Sequence, residues 1–294
     1  MAKLTAHGPD FVSAACIPML LANTPCAEVA LALNARGPSH APLTACATGT
    51  TALAVAHDLL TTGQCDIALA GGTEAAISPL TVAGFYRCGA LSTLNNAPAT
   101  ASRPFAPDRG GFVMAEGAAV LVLERAESAR ARNAPVRAVL AGCGQSSDGH
   151  HSTAPRPDAA GAQQAVETAL HRAGITPNSV DHVNAHGTST RLGDAAEALL
   201  IERLFPHRPP VTAAKGTLGH TLAAAGAIEA ALTVLTLEQG LIPPTANTDQ
   251  PDPALTIDLV TKTPRDVQAT TAVSTSFGFG GHNAAIVLTR PGAR

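Results

Sequence analysis

The stretch Val180-Asp181-His182-Val183-Asn184-Ala185-His186 reads as a short buried strand that runs out onto a histidine. A polar turn, Gly187-Thr188-Ser189-Thr190, follows it. Then come a helix-patterned segment from Asp194 to Phe205 and a second short strand, Val211 to Ala214. Strand, helix and strand in that order make a parallel βαβ unit. Asp194 is placed as the N-cap of the helix, with Glu197 three residues on in a capping-box-like arrangement. Working outward, the pattern repeats. Upstream lie a strand at Val136 to Gly142 and an amphipathic helix at Gly161 to Ala173. Downstream lie a long helix at Thr221 to Gly240 and two strands, Thr271 to Ser276 and Ala284 to Thr289. The turn Gly278-Phe279-Gly280-Gly281 joins those strands. The second half therefore reads β-α-β-α-β-α-β-β. The first half shows the same order incompletely: a helix at Thr50 to Thr61 with Gly63 as its C-cap, strands at Asp66 to Gly72 and Ala118 to Leu123, and an exposed helix at Arg125 to Arg132. The continuous apolar run of Ala118 to Leu123 predicts a strand covered on both faces. The expected architecture is α/β and internally duplicated, with an incomplete N-terminal half at 1–134 and a C-terminal half at 135–294.

The 294 residues are 46% hydrophobic and only 14% charged, against roughly 25% charged in an average domain, so disorder is excluded. A net charge of −3, no Trp and a single Tyr leave no basis for nucleic-acid binding. Cys16, Cys26, Cys46, Cys65, Cys88 and Cys143 form no C-x-x-C pair. Neither a structural zinc site nor a disulfide framework is expected, and reduced thiols suit the cytoplasm. The N-terminus lacks the apolar core of a signal peptide. The longest apolar stretch, Leu222 to Leu237, carries Glu229 at its middle and reads as a buried helix rather than a membrane span.

Four turns carry candidate chemistry. In Thr44-Ala45-Cys46-Ala47-Thr48-Gly49, a cysteine follows a short strand and opens a helix, where the positive end of the helix dipole favours thiolate. Small neighbours, Gly49 among them, allow a sharp turn and the approach of a substrate. A nucleophile and an inert buried thiol both fit this segment. His186 ends its strand where ligands bind in open α/β sheets, and the hydroxyls of Thr188, Ser189 and Thr190 suit either a polar substrate arm or a helix cap. In Lys215-Gly216-Thr217-Leu218-Gly219-His220, a cation near a histidine disfavours imidazolium and leaves a neutral donor for an oxyanion. In Ser276-Phe277-Gly278-Phe279-Gly280-Gly281, the glycines let backbone N–H groups face a ligand.

Taken together, these segments resemble the II-like β-ketoacyl-[acyl-carrier-protein] synthases of the thiolase fold. The matching stretches are Thr44 to Ala47, Asp66 to Glu74, Ser102 to Phe105, Arg109 to Gly117, Asn184 to Thr190, Lys215 to His220 and Ser276 to Asn283. They stand in the family's order and spacing over nearly the whole chain. The resemblance implies decarboxylative condensation of an acyl-enzyme with malonyl-acyl-carrier protein, for fatty-acid or type II polyketide synthesis. Cys46 would carry the acyl group, and His186 and His220 would bind the malonyl thioester carbonyl. Lys215 would tune His220, and Glu229 would be a buried structural acid. The backbone N–H groups of Cys46 and Phe279 would form the oxyanion hole. Phe277 and Phe279 would lie at the site with Phe279 as gate, and Thr188 and Thr190 would hold the pantetheine arm. No bound cofactor or metal is implied. The implied partners are acyl carrier protein and a second ketosynthase-like subunit, in a homodimer or a heterodimer.

Two departures from the family qualify this expectation. Relatives carry more sequence before Cys46, including opening strands of the first half-sheet, so that half-sheet is expected to show an open edge and an uncovered face. A misplaced start, a partner chain that supplies the missing part, and a degenerate fragment all fit, and with them the alternative of a non-catalytic or split subunit. The second departure is Gly110, where the family usually has Asp; His282 stands where Thr is frequent. The wording His186-Gly187-Thr188-Ser189-Thr190 leans toward the fatty-acid type and its polyene-type relatives.

Overall fold

The computed structural model describes residues 2–292, which separate into two units at Pro42. The first unit holds three short helices, α1 (Ala2–His7), α2 (Cys16–Leu20) and α3 (Thr24–Leu33). Asn34, left-handed at φ 51°, ends the last of them.

The second unit begins at Leu43 and carries every predicted site residue. In chain order it contains α4 (Thr48–Thr61), β1 (Ile67–Glu74), α5 (Pro79–Arg87), β2 (Gly117–Glu124), α6 (Ala126–Ala131), β3 (Val139–Ser147), α7 (Ala160–Ala173), β4 (His182–Asn184), α8 (Arg191–Leu204), β5 (Pro210–Thr212), α9 (Lys215–Leu218) and α10 (Ala225–Gln239). Three two-residue strands follow: β6 (Leu241–Ile242), β7 (Asp258–Leu259) and β8 (Arg265–Asp266). The hairpin of β9 (Thr271–Gly278) and β10 (His282–Thr289) completes it. Apart from the short strand expected just before Cys46, every predicted helix and strand of this unit is present, with ends moved by a few residues. The three two-residue strands carry no periodic signal and were not expected.

The main sheet has six strands in the order β3-β10-β9-β4-β5-β7. β4 runs parallel to both β9 and β5, and β10 is antiparallel to both of its neighbours. Strands covered on both faces need apolar or small residues at every position. The hairpin meets this with Ala272-Val273-Ser274-Thr275-Ser276 and Asn283 to Thr289, all buried. One face packs on α7 and α8 through Val166, Leu170, Leu200 and Val273. The other packs on α4 and α10 through Leu53, Ala230, Leu237 and Ile286. α10 also contacts β1 and β2, so α4 and α10 form a layer between the main sheet and a two-stranded antiparallel sheet.

That second sheet corrects one expectation. β2 is not covered on both faces. Its burial alternates, with Val120 and Val122 59% and 65% exposed, and on β1 Ile67 and Leu69 are exposed on the same side. Only the face toward α4 and α10 is packed. Among the described residues β1 pairs with β2 alone, so its other edge is open, as expected for an incomplete half-sheet.

Close backbone approach fixes how the inner layer sits. A Cβ on Gly49 of α4 would stand 2.6 Å from the Ala227 nitrogen, and one on Gly72 of β1 would stand 2.3 Å from the Ala223 oxygen. Gly49 therefore serves helix packing rather than substrate approach, which corrects its sequence reading. On β4, His182 is fully buried and neither ring nitrogen has a partner among the described residues.

Burial lowers the His182 pKa from 6.5 to about 3. The unfolded chain therefore binds the extra proton first. The stability tied to this ring is complete above pH 6.5 and falls as pH drops toward 3, by about 2 kcal/mol at pH 5. In urea melts at pH 7 and pH 5, His182→Phe is expected to lose less stability on acidification than wild type, by about that amount. Equal losses would show that the ring contributes nothing to the acid limb.

Candidate active site

Cys46 lies in the helical turn Ala45–Ala47, immediately before α4. Residues 41–44 belong to no ladder, so the expected strand before the cysteine is absent. Ala45 takes φ 48°, a left-handed conformation costly for a residue with a Cβ, about 1 kcal/mol or more. The β9–β10 turn holds this bend from above. A Cβ on Gly278 would lie 2.5 Å from the Thr44 oxygen and 3.1 Å from the Cys46 nitrogen, so only glycine lets the two backbones meet there. The backbone N–H groups of Phe279 and of Cys46 itself donate to the sulfur. Two N–H donors beside the nucleophile are the groups an oxyanion hole would use.

The helix start does not deliver the expected thiolate. Burial pushes the Cys46 pKa up to about 11. The Lys215 charge and the two N–H groups oppose this without reversing it, and Glu74 adds to it. The resting group is a thiol.

His186 stands one residue beyond the Ala185 that follows β4. Its backbone N–H and that of Gly187 each donate to Glu197, at 2.8 Å, and Glu197 also accepts from the Thr275 hydroxyl at 2.7 Å. This carboxylate, read from the sequence only as part of a cap, fixes the turn that carries the histidine. A readable signal existed: Glu197 falls on the apolar stripe of α8 between Ala196 and Ala198, Leu200 and Ile201, all buried. The Lys215 ammonium donates to the His186 carbonyl at 2.6 Å, meets His186 Nδ1 at 3.3 Å and forms a buried ion pair with Glu229. An ammonium against Nδ1 makes that nitrogen the acceptor, so the neutral ring carries its proton on Nε2.

The His220 ring lies 5.3 Å from the His186 ring at 85°, and 5.1 Å from the Phe112 ring at 83°. Phe277 meets His186 edge-on at 5.7 Å. Burial first, and then the Lys215 charge, hold both imidazoles well below their ordinary pKa of 6.5. Both are neutral donors at neutral pH. Lys215 was expected to tune His220. Its charge does act there, but its direct contacts are with His186.

A second layer secures the turn after His186. Asp194 is not the N-cap of α8. Thr190 is, and Asp194 sits fully buried inside the helix. Its carboxylate accepts from the backbone N–H groups of Phe105 (2.7 Å) and Ser189 (3.1 Å), with Arg109 Nε 3.6 Å away. Phe105 and Ser189 are both left-handed, at φ 62° and 68°, and the shared carboxylate is what makes that backbone tenable. The Thr188 and Thr190 hydroxyls face one another at 2.9 Å. A Cβ at Gly110 would meet nothing within 4 Å, so loss of the acid there leaves space rather than a collapsed backbone.

One cavity of about 100 Å³ brings together Cys46, both histidines, Phe277, Phe279, Thr188 and Thr190. Lys215 and Glu229 lie behind it, each 2% exposed. The arrangement offers a thiol beside two N–H donors and, facing it, two neutral imidazoles that can donate to a second carbonyl.

The family models described as "Beta-ketoacyl synthase, N-terminal domain" and "Beta-ketoacyl synthase, C-terminal domain" match residues 1–129 and 137–249. The chain is 44% identical over 291 residues to 3-oxoacyl-[acyl-carrier-protein] synthase 2 of Rhizobium meliloti (strain 1021), covering 98% of this chain and 69% of that relative. Among solved structures it is similar to a ketosynthase complexed with its type II acyl-carrier protein and bound to the hexaketide, with TM-score 0.92, 33% identity, and coverage of 96% of this chain and 70% of that one. It is also similar to the ishigamide ketosynthase/chain length factor, with TM-score 0.90, 33% identity, and coverage of 99% and 70%.

A thiol with a pKa of about 11 makes a direct forecast. Alkylation of Cys46 by iodoacetamide, followed by peptide mass spectrometry, is expected to accelerate about tenfold per pH unit through pH 9. A rate already level at pH 7 would mean that the thiolate forms without substrate.

Proposed function

The chain belongs to the β-ketoacyl synthase family, and we propose that its cavity condenses an acyl-Cys46 thioester with malonyl-acyl-carrier protein, lengthening the acyl chain by two carbons. The observation that carries this reading is the convergence on one cavity of a thiol under two N–H donors and two neutral histidines.

In the first half-reaction Cys46 Sγ attacks the acyl thioester carbonyl. The N–H groups of Cys46 and Phe279 take the oxyanion. Collapse expels the pantetheine thiolate, which leaves with the proton that the Cys46 thiol gives up. In the second, the malonyl thioester carbonyl accepts from His186 and His220. The bond to the carboxyl carbon breaks, carbon dioxide leaves, and the electron pair becomes an enolate held by the two imidazoles. The enolate carbon attacks acyl-Cys46, and Cys46 leaves as thiolate and regains a proton from solvent. Neutral imidazoles suit this task because an enolate needs donors that do not surrender their proton. Thr188 and Thr190 hold the amide-rich arm, Phe279 gates the turn beside the sulfur, and Glu229 is a buried structural acid paired with Lys215. The two halves at 1–134 and 135–294 are those of a duplicated ketosynthase, working in the cytoplasm with a carrier-protein partner.

A second reading is favoured by the open β1 edge and the exposed Ile67, Leu69, Val120 and Val122: the chain works only beside a ketosynthase-like subunit. Light scattering with a decarboxylation assay on the same fraction separates the two. A monodisperse active species excludes the second reading, and activity only after co-expression supports it.

With malonyl-carrier protein, Cys46→Ala is expected to abolish acyl transfer yet retain decarboxylation. His186→Ala or His220→Ala should each slow decarboxylation by about 10²-fold or more. Decarboxylation that survives both histidine substitutions overturns their role. Lys215→Met is expected to move the acid limb of the decarboxylation profile upward, because loss of the positive charge lets both rings protonate more easily.

A further inference from the structure

The loop 148–158 forms part of the cavity wall, and Arg156 is the only lysine or arginine among the residues that line the cavity. Its backbone is fixed. The Arg156 N–H donates to Asp148 Oδ2 at 3.0 Å, and Asp148 Oδ1 accepts from Asn283 at 2.8 Å. The loop is also tied to the Phe279 turn, through Gly280 N–H to the Ser152 oxygen at 2.7 Å and Asp148 N–H to the Gly281 oxygen at 2.8 Å.

The side chain is 44% exposed. Its Nε donates to Asp158 Oδ1 at 2.7 Å, while Nη1 and Nη2 have no partner among the described residues. Asp158 is itself drawn toward other donors. Its Oδ1 also accepts from the Ala160 N–H, and its backbone oxygen accepts from Arg203 Nη1 at 2.7 Å. Two guanidinium groups thus meet at Asp158, one on its carboxylate and one on its backbone carbonyl, and the terminal fork of Arg156 is held from behind through Nε with both outer nitrogens free. A planar fork with two open donors fits two oxygens of a phosphate.

We propose that Arg156 binds the phosphodiester at the outer end of a phosphopantetheine arm whose thioester reaches Cys46, and so selects phosphorylated over unphosphorylated thioesters. This inference rests on the condensing function proposed above. It makes Arg156 a residue of substrate selection that takes no part in bond making. The same phosphate chemistry occurs on carrier protein and on coenzyme A, so the test separates them.

The experiment measures decarboxylation of malonyl-pantetheine, malonyl-4′-phosphopantetheine, malonyl-coenzyme A and malonyl-carrier protein by wild type, Arg156→Ala and Arg156→Lys. Wild type is expected to favour the phosphorylated arm by about tenfold in kcat/KM, mainly through KM, the effect of one charge-assisted contact. Arg156→Ala is expected to lose that preference while handling malonyl-pantetheine as wild type does, and Arg156→Lys to keep part of it. A preference that survives Arg156→Ala, or an equal fall on malonyl-pantetheine, overturns the proposal. So does a defect confined to carrier protein, which would place the contact on the carrier's own surface, or one confined to coenzyme A, which would place it on the nucleotide phosphates. Wild type inert toward all four thioesters would instead overturn the condensing function, and this inference with it.

Discussion

The ammonium group of Lys215 is almost sealed from water, and a buried charge persists only where oxygens close around it. Three segments supply them or are held by them. α9 carries the lysine, α10 brings Glu229, and the turn after β4 turns the His186 carbonyl inward. The same contacts set the electrical state of the cavity. Burial, and then this positive charge, keeps both imidazoles neutral, and the charge also fixes the His186 tautomer and pulls on the sulfur of Cys46. Burial raises the Glu229 pKa to about 7, and the ammonium beside it opposes this without reversing it. Removing either partner leaves the other uncompensated, so the pair holds the geometry of the site together more than it adds to stability.

Around this pair the structure separates donors from acceptors. Glu197 and Asp194 take the backbone N–H groups of the turns that carry His186 and Ser189. The backbone N–H groups of Cys46 and Phe279 are left to the nucleophile, beside its sulfur. The thiol is left protonated by its dry surroundings, which suits a group that must persist between encounters with two different carrier-bound thioesters.

The sequence made the strands, the helices and the identities of the cavity residues readable, because each has a local signature. The apolar runs of β9 and β10, the Gly278–Gly281 turn, and histidines at strand ends all lie within a few residues. What it hid depends on partners distant in the chain. Asp194 looks like a cap, and becomes a buried acceptor only because Phe105, nearly ninety residues earlier, brings its N–H there. Gly49 looks like an opening for substrate, and is a packing contact because α10 crosses it. The thiolate expected from the helix start fails for a related reason: a dipole at a helix end is a local feature, while desolvation is imposed by the whole surround. β2 reads as doubly covered because Ala118 to Leu123 is apolar throughout. Which of those residues meet a neighbour is decided by what lies beyond the ribbon.

The glycine contacts of the inner layer carry an implication for how this cavity changes over time. Gly49, Gly72 and Gly278 press main chain against main chain, and no alternative rotamer can relieve a Cβ placed there. Such a frame is insensitive to drift in the side chains around it. The attitude of the nucleophile turn relative to the hairpin and α10 is therefore inherited as a fixed quantity. Variation in what the enzyme accepts has to be written on the remaining wall, in the loop 148–158 and in the aromatic lining of Phe85 and Phe112. Substrate range and chemistry thus reside on separately mutable parts of one cavity.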